Sequence, residues 1–239
     1  MINDFTPRAG LDATSPTAEF WRGLAVSVLA LALSLVPGSH SVSGGTPFYG
    51  APESVSVGML AANAGFADFG TEQASPDARH IADWIAASGD SAHSEFVIVD
   101  KQFARVYVFD ADARLRGSAP VLLGAARGDD SVADIGSRPI ADVRPEERTT
   151  PAGRFVAERG RNASDEDVIW VDYDAAVSMH RVRTTNPAEN RLERLATSTV
   201  EDNRISYGCI NVPAAFYDSF IRPLFATHRT VVYVLPDVR

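Results

Sequence analysis

Apolar positions are spread unevenly along the chain. From Leu24 to Val36 they run almost unbroken as LAVSVLALALSLV. That run is too short for an ordinary membrane-spanning helix and has the length of a signal-peptide core. Arg8 and Arg22 precede it together with Asp4, Asp12 and Glu19, and Pro37-Gly38-Ser39 ends it, with small residues through Gly45 as cleavage sites. The pattern predicts a secretory signal or short membrane anchor over residues 1–40, with a buried core helix as the alternative. From Ser39 to Gly70 no period of two or 3.6 is sustained, which predicts a linker or loose lead-in. One short helix follows in residues 41–94. Ser75 can cap it, Pro76 suits its first turn, and Ile81, Trp84 and Ile85 share a face before Gly89.

After Glu95 the period changes to that of strands. FVIVD at 96–100, ARVYVFD at 104–110, PVLLG at 120–124, RFVAE at 154–158, VIWVDY at 168–173, AVSMHRV at 176–182 and TVVYVL at 230–235 are bounded by charged or Gly-rich turns. This series predicts a mainly β domain over 95–239, a mainly antiparallel sandwich or barrel. Helices are expected near Pro187 to Ala196 and Pro213 to Phe225. In the second, Phe216, Phe220 and Leu224 recur at helical spacing and read as core.

Composition narrows the function. A formal charge of −9 repels phosphate backbones and anionic lipid surfaces, so nucleic acid is excluded as a partner. The single cysteine, Cys209, rules out an intrachain disulfide. A lone thiol is equally compatible with a small buried hydrophobe.

Its surroundings favour chemistry. Arg204-Ile205-Ser206-Tyr207-Gly208-Cys209-Ile210-Asn211-Val212-Pro213 places the thiol in a turn just before a predicted helix. A helix N-terminus lowers a thiol pKa and offers amides to an oxyanion, and Gly208 lets backbone approach a ligand. A thiol nucleophile also needs a base. Among His40, His80, His93, His180 and His228, only His180 ends a predicted strand, after Met179 and before Arg181. A histidine there also has a structural reading.

The stretch from about Phe96 to Leu235 resembles the L,D-transpeptidase catalytic domain, the YkuD-like family. The matching residues are Val99-Asp100 on the first strand, Thr150-Pro151-Ala152-Gly153-Arg154-Phe155, the strand-end His180, and Ser206-x-Gly208-Cys209-Ile210-Asn211. The resemblance implies a β-sandwich whose Cys209 attacks the carbonyl between the third and fourth residues of a peptidoglycan stem peptide, releasing a D-amino acid. It implies His180 as base, Arg181 orienting the imidazole through its carbonyl, and amides around Gly208 and Cys209 as the oxyanion site. Tyr207, Ser206, Arg204 and Asn211 would then line the substrate. No metal or organic cofactor is implied, the expected unit is a monomer, and the expected location is the periplasm or cell envelope.

Three departures from the family pattern bear on substrate choice. Tyr207 stands where a histidine is usual, the interval from His180 to Ser206 is long and charged, and Arg181 replaces a small residue, which predicts a crowded or charged pocket. Arg181, Arg183, Arg191, Arg194 and Arg204 match carboxylate geometry. They also fit a solvated face paired with Glu189, Glu193, Glu201 and Asp202, Arg204 being the one that adjoins the cysteine. Residues 138–148, RPIADVRPEER, predict a long surface loop. Two other functions remain open: a hydrolase on the same scaffold, acting as carboxypeptidase or amidase, and a weak or inactive module that binds peptidoglycan.

Overall fold

A computed structural model describes residues 65–237. The apolar run at 24–36, with the expected signal or anchor, His40 and the first part of the expected linker lie outside the described residues. Among those described, no helix is long and apolar enough to cross a membrane.

The fold is mainly β. Among the described residues ten strands run in chain order: β1 (Phe96–Asp100), β2 (Arg105–Phe109), β3 (Leu115–Pro120), β4 (Leu123–Gly124), β5 (Gly153–Arg161), β6 (Asp167–Asp172), β7 (Val177–Arg181), β8 (Arg204–Ser206), β9 (Ile210–Val212) and β10 (Thr230–Val234). Eight form one sheet in the order β3-β2-β1-β10-β5-β6-β7-β9, and β4 pairs with β8 beside it.

The sheet turns a corner within β5. Residues Gly153 to Ala157 pair with β10, and Glu158 to Arg161 pair with β6. The two halves thereby face each other across one core, in which Val97, Val99, Val106 and Val108 meet Ile169, Val171, Met179, Ile210 and Val212. The far edges also meet, because Leu122 and Asn211 exchange both backbone hydrogen bonds at 2.9 Å. The result is a nearly closed sandwich.

β1 shows why its segment reads as an unbroken apolar run. Val97 and Val99 point into the main core, while Phe96 and Ile98 point the other way, into a second cluster under the helix α1 (Pro76–Ser88). α1 is capped by Ser75, whose hydroxyl accepts from Ala78 N–H at 2.9 Å, and ends at Gly89 in the left-handed conformation. Burying Ile81 and Ile85 against the sheet contributes about 1.5–3 kcal/mol each.

The large sheet is mainly antiparallel, as expected, with β1–β10 and β7–β9 as its parallel pairs, and β4–β8 beside it is parallel too. Other expectations are corrected. PVLLG is not one strand: Pro120 ends β3, an edge strand of partly exposed residues, and only Leu123–Gly124 pairs with β8. The helix expected at 187–196 is a 3₁₀ turn (Pro187–Glu189) and α2 (Arg191–Ala196), separated at Asn190. The later helix contains a π-helical stretch, Tyr217–Ile221, in which Arg222 N–H reaches back to Tyr217 O. Pro223 cannot supply an amide to the ordinary ladder, which accounts for the widened turn.

Candidate active site

Cys209 lies in the turn between β8 and β9 and not at a helix N-terminus. Residues Ile210–Val212 pair with β7 before the chain reaches Pro213 and the helix beyond it. The predicted helix activation is therefore absent, and the thiol is tuned by a strand instead. In the parallel β7–β9 ladder Met179 is beside Ile210 and His180 beside Asn211. One step back, Cys209 stands beside Ser178. Its Sγ is 3.7 Å from Ser178 Oγ and 3.7 Å from Ala176 O.

Alternation along β7 puts Ser178 and His180 on one face and Met179, in the core, on the other. His180 Nδ1 lies 2.8 Å from Arg181 O. A carbonyl oxygen only accepts, so Nδ1 carries the proton and Nε2 presents a lone pair. Burial pushes the Cys209 thiol pKa up. The hydrogen bond of His180 and the charge its ring carries once Nε2 has taken the thiol proton, then contacts from Ser178, outweigh it and hold the thiol below its ordinary value. Ser178 was missed in the sequence, although its position two residues before His180 already placed it on the same strand face.

The turn is braced from below. Ser206 Oγ donates to Cys209 O at 2.7 Å and accepts from Gly208 N–H at 3.1 Å, so the Gly208 amide, expected at an oxyanion, is already engaged. Asn211 is fully buried. It donates to Cys209 O at 3.1 Å and accepts from Arg191 Nη1 at 2.6 Å, tying the 187–203 insertion beneath the turn. Gly208 has φ +124°, and a β-carbon there would lie 2.7 Å from Thr149 O. No other residue fits that approach without displacing backbone. Ser206 and Asn211, expected at the substrate, are thus supports of the turn.

The TPAG segment supplies a second brace. Thr150 Oγ1 donates to Gly208 O at 2.8 Å and accepts from Gly124 N–H at 2.9 Å. Thr150 O in turn accepts from Lys101 Nζ at 2.8 Å, and that ammonium also donates to Gly128 O at 2.6 Å and Asp129 Oδ1 at 2.7 Å. Asp237 lies 3.6 Å from the same ammonium and pairs with Arg204. Arg204 also donates to Lys101 O at 2.9 Å. Arg204 is therefore a buried tie of the scaffold, and the expectation that it meets substrate is corrected: its neighbour in sequence is the cysteine turn, but its side chain points to the C-terminal segment.

Arg181 is corrected in the same way. Its guanidinium pairs with Asp218 at 2.6 Å and covers the Tyr217 ring at 4.3 Å, on the strand face opposite His180, so it neither crowds nor charges the thiol. Its carbonyl alone serves the imidazole. Arg183 meets Glu166 and Arg191 meets Glu189, while Arg194 donates to Glu189 O and Asp202 O. His80, His93 and His228 are exposed and make no bond to the cysteine turn. Tyr207 alone of the predicted substrate residues is open to solvent, at 37% exposure, and Arg148 stacks on its ring with the guanidinium carbon 4.0 Å from the centroid. Among the described residues no His, Cys, Asp and Glu cluster is arranged to hold a metal ion.

No known family profile matches this sequence, and no curated protein does. Solved structures with a similar chain trace include L,D-transpeptidases. The catalytic domain of the E. faecium L,D-transpeptidase is 16% identical, covering 60% of this chain and 98% of its own, with a TM-score of 0.34. An L,D-transpeptidase from Mycobacterium tuberculosis is 13% identical over 59% of this chain and 57% of its own, with a TM-score of 0.36. The helical cell shape determining protein Pgp2 from Campylobacter jejuni is 15% identical over 65% of this chain and 55% of its own, with a TM-score of 0.39. Two further L,D-transpeptidase structures are matched over only 50% of their own length.

Proposed function

We propose that this chain is a cysteine acyl-transfer enzyme that acts on peptidoglycan stem peptides by L,D-transpeptidation. One observation carries the proposal: a partly exposed thiol of lowered pKa stands beside Ser178 and His180, and the His180 Nδ1–H is held by a backbone carbonyl so that Nε2 faces the chemistry. That is a nucleophile, a base and the group that orients the base.

In the proposed reaction His180 takes the thiol proton and Cys209 Sγ attacks the carbonyl carbon between the third and fourth stem residues. The tetrahedral oxyanion is held by amides of the turn other than that of Gly208. As the C–N bond breaks, the imidazolium returns its proton to the leaving amine, and a thioester remains. An amine of a second stem then attacks the thioester, His180 accepts its proton, and the thiol is released as the new amide forms. The bond energy of the first peptide bond is conserved in the thioester, so no nucleotide is consumed. Such a substrate lies outside the cytoplasmic membrane, and export of the chain is part of the proposal, with residues 24–36 as the targeting segment.

The test is intact-mass spectrometry of the purified protein with a carbapenem, then with a tetrapeptide-stem muropeptide and an acceptor amine. The expected result is an adduct that maps to Cys209, is absent from folded Cys209→Ala, and is followed by cross-linked product. Hydrolysed monomers alone would replace transfer by the carboxypeptidase reading. A folded protein that forms no adduct and no product would sink the enzyme and leave a binding module.

A further inference from the structure

Arg148 sits at the end of the 138–148 loop, where three arginines share one chemistry and have different partners. Arg144 pairs with Glu147 at 2.9 Å and Arg138 with Glu147 at 3.2 Å. Those partners, led by Arg144, hold the Glu147 carboxyl at about 2, so it stays charged and committed to them. Arg148 meets no carboxylate among the described residues. Its Nε and Nη2 edge donates to Val143 O at 3.4 and 3.2 Å, and no acceptor among the described residues takes Nη1. The guanidinium carbon lies over the exposed Tyr207 ring, 4.0 Å from its centroid. The next residue, Thr149, is the one whose carbonyl closes on Gly208, so Arg148 is carried to the lip of the cysteine turn by the same close approach.

We infer that Arg148, held over the ring of Tyr207, is a carboxylate-binding site at the mouth of the thiol, and that it recognises a carboxylate of the acyl-donor peptide. The inference rests on the reading of Cys209 as an acyl-transfer nucleophile. A guanidinium with one edge tied to a backbone carbonyl and its face fixed by an aromatic ring has lost its rotational freedom before a ligand arrives. Its remaining donors form the planar fork that matches a carboxylate. In a chain of net charge −9 an arginine left without an anion beside the reactive thiol is unusual in its setting, since Arg181, Arg191 and Arg204 around the same turn are all paired. Tyr207 acts here through its ring, as a platform, and its hydroxyl is not required. Two carboxylates of a stem peptide flank the scissile bond and have this chemistry: the terminal one of the leaving residue and the side-chain one of a diaminopimelate at the third position.

The first measurement needs no peptide. Alkylation of Cys209 by anionic iodoacetate and by neutral iodoacetamide is timed in the native protein, in Arg148→Gln and in Tyr207→Phe. The iodoacetate to iodoacetamide rate ratio is expected to fall about tenfold in Arg148→Gln, the scale of one charge-assisted hydrogen bond, with the iodoacetamide rate unchanged. Tyr207→Phe should keep the native ratio. If the ratio does not move, or both rates fall together in Arg148→Gln, the inference is overturned and Arg148 is only a tie for its loop.

The second arm compares a tetrapeptide donor with its C-terminal carboxamide, and diaminopimelate with lysine at the third position. Arg148→Gln should raise KM about tenfold with kcat little changed, and only for the donor whose carboxylate is read. Equal loss on all donors would also overturn it. Absence of turnover on every donor would sink the proposed function instead, while the alkylation ratio would still decide the carboxylate site.

Discussion

The two sides of the cysteine turn use the same residue types to opposite ends. Beneath it, Lys101, Arg204, Asp129, Asp237 and Thr150 are packed against one another. Burial lowers the Lys101 pKa, and the three acceptors on its ammonium, with Asp237 beside them, answer that penalty. Above the turn, Cys209, His180, Tyr207 and Arg148 keep donor, acceptor or π-face capacity unspent. The lesson is that charge near a nucleophile does not by itself mark recognition. A guanidinium whose partners are complete builds the scaffold, and one with an open edge is available to a ligand.

Four changes would break or sharpen that contrast. His180→Ala should have the largest effect, slowing acylation of Cys209 about 10²- to 10⁴-fold, the usual range for a general base. It should also move the midpoint of the pH–alkylation profile upward. Because the folded thiol pKa lies below the ordinary value, its contribution to stability is present above the ordinary thiol value and is lost as pH falls through the folded one. His180→Ala removes most of that dependence. An unmoved profile in the variant would show that His180 does not tune the thiol.

Lys101→Met tests the lower side. It leaves Asp129 without its cation, while Asp237 keeps Arg204, and should cost about 3–5 kcal/mol in urea unfolding. A loss below about 1 kcal/mol would mean that the network is not what holds the TPAG segment. Ser178→Ala should slow iodoacetamide alkylation several-fold at fixed pH and raise the thiol midpoint less than His180→Ala does, the scale of one hydrogen bond of about 0.5–1.5 kcal/mol. No change would reduce Ser178 to packing. The smallest effect belongs to Asp218→Asn, which releases the partly exposed Arg181 side chain. Stability should change by at most about 1 kcal/mol and the acylation rate should not change, because the Arg181 carbonyl is untouched. A large rate loss there would show that the Arg181 side chain takes part after all.

Legibility in the sequence followed the physics of each element. β1, β2, β6, β7 and β10 were readable because each buries β-branched or aromatic residues on at least one face. β3, LRGSAP, was not, since an edge strand of half-exposed residues carries no alternation. β8 and β9 are too short for a period, and Ile210-Asn211-Val212 was hidden by a polar residue at a buried position. Parallel pairing of β1 with β10 and β7 with β9 depends on contacts distant in sequence. At the site, the turn of Cys209 was legible from its own motif and the position of His180 from its place at the end of a predicted strand, and the structure brings the two together. Arg204 was misplaced because nearness in sequence to Cys209 said nothing of side-chain direction, and Arg148 was passed over because Thr149 and Gly208 meet only in three dimensions.

The position of β10 bears on how the molecule comes into being. It is the last strand of the described chain, yet it lies in the middle of the sheet, between β1 and β5. Until residues 230–234 emerge from the ribosome, the β3-β2-β1 unit and the β5-β6-β7-β9 unit have no shared strand, and Asp237 is not there to close the cluster around Lys101. The halves that flank the thiol gain their shared strand only after Cys209 and His180 have been made. The pairings are long-range ones, for which folding is slow. A chain interrupted before residue 230 would carry Cys209 and His180 without the strand that β1 and β5 share, so the surroundings of the thiol are completed well after the thiol itself is made.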